Sequence, residues 1–392
     1  MKHILLLLIL LLFTSCGFGE IGTGLHSGSD GIWHGPSYGR YMSGTCYAVG
    51  LDYPDGYDWR SDTEKGNVKC QLVMFADGIP VLKLPVGDTY EISSDIGRHR
   101  VRAGCLYTDY TDGNTTVIKK DGVEISRYDG AEDILCMEVY GGRLHFLTCP
   151  AGGSGFRYRV DGQLILERKD AVPFLHLDEY ADSVRFCFSQ EQKTISGKET
   201  RYYQVTAGTV RNIELTDSIT AVWDMRVMNG KVCVASSFPD KNPVLMYDQK
   251  REHLKYLDRQ NVVSCVFTDS DRIGLCVRCV YSGSRSMSDI LWTGGNDWQM
   301  YRIGRTLSSF CIDGDGCYAS INPVNGQDGL IFKGSQANLM PAGYYVFTGD
   351  CMVRRDSILN VGLSSRNGRY PLLWRDGVLD TLNINGPVTC LR

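Results

Sequence analysis

Fifteen cysteines and seven histidines are the residues most able to hold a metal or act as nucleophiles in this 392-residue chain. The histidines stand at 3, 26, 34, 99, 145, 176 and 253, and none pairs with another at metal-ligand spacing. Cys276 and Cys279 form a C-x-x-C, yet on a strand residues i and i+3 point to opposite faces, which argues against a chelate and against an easy disulfide. Asp269-Ser270-Asp271 and Asp313-Gly314-Asp315-Gly316 are rich in oxygen ligands but lack the twelve-residue calcium pattern with its closing Glu, so turn chemistry accounts for both. Arg98-His99-Arg100 could offer cations to a ligand, but it falls where a hairpin joins two strands and reads as a solvated turn. The sequence assigns no catalytic residue, no cofactor site and no metal site. What remains is the segment LDYPDGYDWRSDTEKGNVKC over 51–70. There Tyr53, Asp55, Tyr57, Asp58 and Trp59 combine rings that stack on a sugar or grip a peptide with carboxylates that accept its hydrogen bonds.

The elements that must carry such a segment follow from composition and repetition. Hydrophobic residues make up 43% and charged residues 22%, enough apolar material for a core, while Gly at 44 and Tyr at 22 favour turns and strands over helices. Lys plus Arg at 41 against Asp plus Glu at 45 gives a scattered net charge of −4, which removes nucleic acid as a partner class. Asp-Gly between two alternating apolar runs signals a two-residue hairpin, because both turn residues of type I′ need φ > 0. It occurs at Gly78, Gly122, Gly162 and Gly377, with variants at Gly208, Gly295 and Gly334, and Gln249 holds the equivalent place in an eighth copy. The spacing averages about 43 residues.

Each hairpin is preceded by two more strands. The nearer carries Cys46, Cys105, His145, Cys187, Cys233, Cys276, Cys317 or Asn360. The farther carries Cys136, Cys265, Cys311 or Cys351, with LHLDE and WDMRV filling the place in the fourth and fifth units. Four strands per 40 to 45 residues predicts an all-β chain built as a β-propeller of eight four-stranded blades, with seven as the alternative. The first unit lacks an innermost strand, and the C-terminal PVTCLR matches the missing piece. The expectation is therefore that Val388–Leu391 joins the strand of Cys46 and closes the ring. Recurrence by repeat position also suggests that six cysteines share one place in the second strand and five share one in the innermost, as small buried packing residues.

The head of the chain reads as an address. Lys2 and His3 precede an apolar run from Ile4 to Phe13, too short to span a bilayer, which has the form of a signal peptide. Phe13-Thr14-Ser15-Cys16 resembles the lipobox of bacterial lipoproteins, with Cys16 as the lipidated residue. Residues 1–16 are then the signal peptide with its lipidation site, 17–44 a Gly- and Ser-rich flexible tether, and 45–392 a single propeller domain.

Taken with the repeated hairpins, this resembles the uncharacterised β-propeller lipoproteins of Bacteroidota. The resemblance implies a propeller fold and a location in the cell envelope, with no functional residues to transfer; the further expectation is a monomer held by its N-terminal lipid at the outer membrane. Single motif hits carry no weight in a repeat protein. Ser29-Asp30-Gly31-Ile32-Trp33 misses the sialidase Asp-box spacing, and there is one Trp223-Asp224 pair. No nucleophile elbow or phosphate loop stands in a suitable context. The expected function is a non-enzymatic binding or interaction module for a glycan, peptide or protein through the 51–70 loop. The alternative is a polysaccharide hydrolase or lyase with its site at the axial mouth.

Overall fold

The computed structural model describes residues 37–38, 45–59, 68–86, 99–194, 197–215, 221–228, 230–237 and 382–390 and, between 243 and 381, the strands of the fifth to eighth sheets. The chain is all-β, and its described strands pair into eight antiparallel meanders taken in chain order. Tyr47–Asp52, Cys70–Ala76 and Ile79–Val86 form the first sheet, and its innermost place is filled by Val388–Cys390. The register sets Ala48 against Cys390 and Gly50 against Val388, so the tail supplies the strand that the head lacks, as the repeat requires.

The second sheet runs Arg100–Arg102, Cys105–Asp112, Thr115–Lys120, Val123–Asp129, and the third Glu132–Tyr140, Arg143–Pro150, Phe156–Val160, Gln163–Arg168. In the fourth the innermost place is shared by Ala171–Pro173 and Asp178–Tyr180, followed by Ser183–Thr194, Gly197–Thr206 and Thr209–Ile213. The fifth sheet starts with Ala221–Met228 and Lys231–Ser237, the sixth with Asn261–Asp269 and Arg272–Val280, the seventh with Leu307–Asp313 and Gly316–Ile321, and the eighth with Met352–Arg354 and Ser357–Ser364. Ser37–Tyr38, inside the expected tether, lies parallel to the innermost strand of the seventh sheet, with Ser37 opposite Ser309. Residues 1–36 and 39–44, including Cys16, lie outside the described residues.

The Asp-Gly turns have the geometry that their sequence demands. Asp77, Asp121 and Asp161 all have φ of 50°, and Gly78, Gly122 and Gly162 have φ of 85–86°, both residues in the left-handed region as a type I′ turn needs. The aspartate has a second task. Asp77 Oδ1 accepts from the Cys46 N–H at 3.0 Å, Asp121 Oδ1 from Leu106 at 2.7 Å and Asp161 Oδ1 from Leu144 at 2.8 Å, while each aspartate N–H donates back to the same residue's carbonyl. The turn between the third and fourth strands is thus clasped to the start of the second.

The glycine has a second task too. A Cβ on Gly122 would meet Leu84 at 2.8 Å, and one on Gly162 would meet Ser126 Oγ at 2.1 Å, each contact on the outer strand of the preceding sheet. Replacing Asp121 with Ala should remove one partly buried hydrogen bond, cost about 1 kcal/mol, and speed exchange of the Leu106 amide first. Unchanged protection at Leu106 would show that the clasp contributes nothing.

Sheet faces pack on their neighbours through apolar clusters. Leu147, Phe156 and Tyr158 of the third sheet meet Phe186 and Phe188 of the fourth, with Phe156 and Phe186 edge to face at 5.8 Å. Between the second and third sheets lies a buried ionic node. Glu132, with a fully covered side chain, accepts from Thr148 at 2.6 Å and from Arg159 at 2.7 and 3.0 Å, and is bound by Arg157 as well. Arg159 also lies 4.0 Å over the Tyr128 ring.

Two expectations need correction. Of Arg98-His99-Arg100, Arg98 lies outside the described residues, and the other two are not in a solvated turn: His99 is fully buried, and Arg100 opens the innermost strand of the second sheet. The cysteines do not share one repeat position. Relative to the residue opposing the end of the third strand, Cys233 stands at that position and Cys187 and Cys276 two beyond it. Cys105 stands two before it, and Cys46 and Cys317 one before. In the innermost strands Cys136 and Cys265 share a level, opposing Leu147 and Cys276, but Cys311 opposes Tyr318 and Cys390 opposes Ala48 at other levels, and Cys351 lies outside the described residues. Spacing along the chain counts loop residues, whereas register is set by the hairpin, so variable loops moved the apparent alignment.

Candidate functional site

The 51–59 segment leaves the first strand of the chain's own first sheet and is held from a distance by the C-terminal segment. Asn385 is the clamp. Its Nδ2 donates to the carbonyls of Pro54 at 3.0 Å and Tyr57 at 3.1 Å, its N–H donates to Asp52 Oδ1 at 2.9 Å, and its carbonyl accepts from the Tyr53 N–H at 3.0 Å. Pro387 accepts from the Leu51 N–H at 3.0 Å.

The five residues singled out from sequence separate into two groups. Tyr53 is 4% exposed, belongs to the core with Leu51, Leu72 and Val101, and tilts against Tyr57 at 5.1 Å. It is a foundation for the loop and not a surface ring. Tyr57 and Trp59 are half-buried against that core, and Asp55 and Asp58 are exposed. The result is a braced turn that displays two partly covered rings beside two carboxylates.

A second grouping went unread in the sequence. At one level of the innermost strands, opposite Tyr107, His145, Arg185 and Cys233, stand Arg100, Glu138, Asp178 and Arg226. The same level in the sixth to eighth sheets holds Phe267, Cys311 and Met352. The charged arc is stitched across sheet boundaries. Arg226 donates to Asp178 at 2.8 Å, Arg102 pairs with Glu138 at 2.7 Å, and His176 Nε2 meets Asp224 at 3.0 Å. The signal was present in LHLDE and WDMRV, which put charge where other units carry Cys or apolar residues.

His176 hydrogen-bonds the Asp224 carboxylate across the boundary of the fourth and fifth sheets. His145 does sit among rings, its Nδ1 2.8 Å from the Tyr158 hydroxyl; burial and then Arg143 push its pKa down and favour the neutral ring. Among the described residues, the carboxyl groups displaced from their ordinary values, Glu124, Glu132 and Asp161, are all displaced downward by donors that outweigh burial. These are ion-pair partners held charged, the opposite of a general acid.

Cys46, Cys70, Cys187 and Cys233 are buried free thiols. Burial, aided by Asp52, pushes Cys70 up to about 11, and burial pushes Cys233 up to about 12 and Cys187 up as well. Burial thus keeps the Cys70, Cys187 and Cys233 thiols protonated at pH 8. Iodoacetamide at pH 8 should leave these cysteines unmodified in the native protein and label all of them in guanidinium. Native alkylation of the Cys187 peptide would contradict its burial.

No family model and no curated protein matches this chain. Similar solved structures include the β-propeller domain of the trilobed protease from Pyrococcus furiosus, at 13% identity and a TM-score of 0.45, covering 73% of this chain and 94% of that one. An acylaminoacyl peptidase complexed with Z-Gly-Gly-Phe-chloromethyl ketone aligns at 11% and 0.42, over 90% of this chain and 52% of that one. Sqt1 of Saccharomyces cerevisiae aligns at 10% and 0.41, over 74% and 85%. The chain spans about half the length of the acylaminoacyl peptidases. Consecutive four-stranded meanders whose first member is completed by the last strand of the chain define the class: a β-propeller scaffold.

Proposed function

We propose that the eight sheets close into one ring and that the chain is a non-enzymatic binding module of the bacterial envelope, tethered through lipid on Cys16, whose ligand sits on the 51–59 turn. The observation that supports this reading is the Asn385 clamp. Four hydrogen bonds from Asn385 hold the turn from Asp52 to Tyr57, so little ordering entropy remains to be lost there when a ligand meets the Tyr57 ring and the Asp55 carboxylate. A glycan is the leading ligand class, since rings stack on sugar faces while carboxylates accept from hydroxyls, and peptides and proteins follow. The inner-strand charges Glu138, Asp178 and Arg226 favour binding over hydrolysis in the same way, because each is paired with an opposite charge in the adjacent sheet.

Tyr57 and Trp59 rest on the core, so the exposed carboxylates make the cleaner test. Changing Asp55 to Asn should reduce binding on glycan and peptide arrays about tenfold, the worth of one charge-assisted hydrogen bond, with an unchanged melting temperature. Undiminished array binding by that variant would remove the turn from the site.

A further inference from the structure

Between the first and second sheets, away from the 51–59 turn, lies a groove of about 410 Å³ lined by Tyr47, Met74, Ala76, Val81, Leu82, Gly104 and Asp121. That volume is within the roughly 300–1,000 Å³ of ordinary ligand clefts. Met74, Ala76, Val81 and Leu82 are its apolar lining residues, and Asp121 is the one lining residue with an ionisable carboxyl group. Val81 is 52% exposed, so the groove opens to solvent along that side.

The Asp121 side chain reaches the groove from the hairpin turn of the second sheet. Its Oδ1 accepts from the Leu106 N–H at 2.7 Å, a neutral donor. Gly104, with φ of +74°, makes room on the other wall, since a Cβ there would stand 3.0 Å from the Tyr47 hydroxyl. The matching junction between the fourth and fifth sheets shows what such a space accepts. There the Tyr180 ring fills the place beside Gly230, and the Arg185 guanidinium lies 5.0 Å over that ring and donates to the Gly230 carbonyl at 3.4 Å. Tyr47 holds the register position of Arg185, each opposing the last residue of its third strand. At the first junction the ring comes from Tyr47 and no cation is among the lining residues.

We propose that this groove receives a basic side chain of a partner polypeptide, its aliphatic stem against Met74, Val81 and Leu82 and its cationic head on the Asp121 carboxylate. A stem of methylenes capped by one cation matches apolar walls capped by one anion. The site is separate from the 51–59 turn, and its test does not depend on that reading.

The probes are Nα-acetyl-lysine N-methylamide and its uncharged isostere Nα-acetyl-norleucine N-methylamide, titrated onto the full chain by NMR. The lysine probe should bind with a millimolar Kd, at least about threefold tighter than the norleucine probe, as a partly exposed ion pair provides. Asp121→Asn keeps an oxygen for the Leu106 N–H and removes only the charge, so it should bring the two probes to equal affinity. Val81→Trp, at an exposed position, should block both probes while the protein keeps its melting temperature. Raising the salt concentration should weaken the lysine probe alone. Equal affinity of the two probes for the wild type, an unchanged lysine affinity in Asp121→Asn, or no lysine binding up to tens of millimolar would each overturn the proposal.

Discussion

Truncation before Leu382 should leave a chain that no longer unfolds in a single sharp transition. The segment it removes carries Leu382, Ile384 and Val388, buried to 2%, 7% and 0% exposure in one cluster with Cys46, Val73 and Phe75. Emptying a buried aliphatic site costs about 2–5 kcal/mol, so three such losses approach the roughly 5–15 kcal/mol that holds an ordinary domain together. The same truncation strips the innermost strand from the first sheet and exposes a row of unpaired backbone groups, which invites aggregation.

A single substitution should act through the same contact. An ideal Cβ on Gly386 would stand 1.9 Å from the Leu51 carbonyl oxygen, a backbone atom that cannot swing aside. Gly386→Ala must therefore part the two segments and break the Leu51 to Pro387 and Tyr53 to Asn385 hydrogen bonds. Calorimetry should record a melting temperature lower by several degrees or more, and hydrogen exchange should quicken first at Leu51 and Tyr53. If both variants melt like the wild type, the C-terminal strand is no part of the cooperative unit.

Loss of the Glu132 carboxylate should be nearly as damaging. Glu132→Gln leaves Arg159, with an 8% exposed side chain, and Arg157 facing a neutral amide, and an uncompensated buried charge costs about 3–5 kcal/mol. The effect also carries a pH signature. Burial alone would raise the pKa of Glu132, but the donors Arg159, Thr148 and Arg157 outweigh it and hold the group below its ordinary value of 4.5. A depressed folded pKa means that the node stabilises fully above about pH 4.5 and is lost as pH falls through the folded value. Asp161, lowered in the same sense by Leu144 and Arg143, follows the same course. Urea midpoints at pH 7 should therefore differ strongly between wild type and Glu132→Gln, and the gap should narrow toward pH 3. A gap that persists in acid would point to packing and not charge.

The particular residues show why some features were legible and others were not. The left-handed φ values at Asp77, Gly78, Asp121 and Gly122 follow from local chemistry, because few other residue pairs tolerate them, and the strands on either side follow from their alternation. The place of Val388–Cys390 was legible as well, since a repeat with one strand missing at its head and one spare at its tail has a single way to complete itself. The registers of Cys105 and Cys187 were not, because loop length and strand offset are interchangeable in a one-dimensional count.

Tyr53 looked like a surface ring beside Tyr57, and only the core cluster of the first and second sheets separates the two. The chain alone thus determined its turns, its strand period and the partner of its last strand, all consequences of short-range sterics and of repetition. Tertiary packing decided which side chains face outward on the 51–59 turn, that Asn385 holds it, and that Arg226 finds Asp178 across a sheet boundary. Those contacts join residues from 48 to more than 300 positions apart, and no local preference encodes which of many distant partners a side chain will meet.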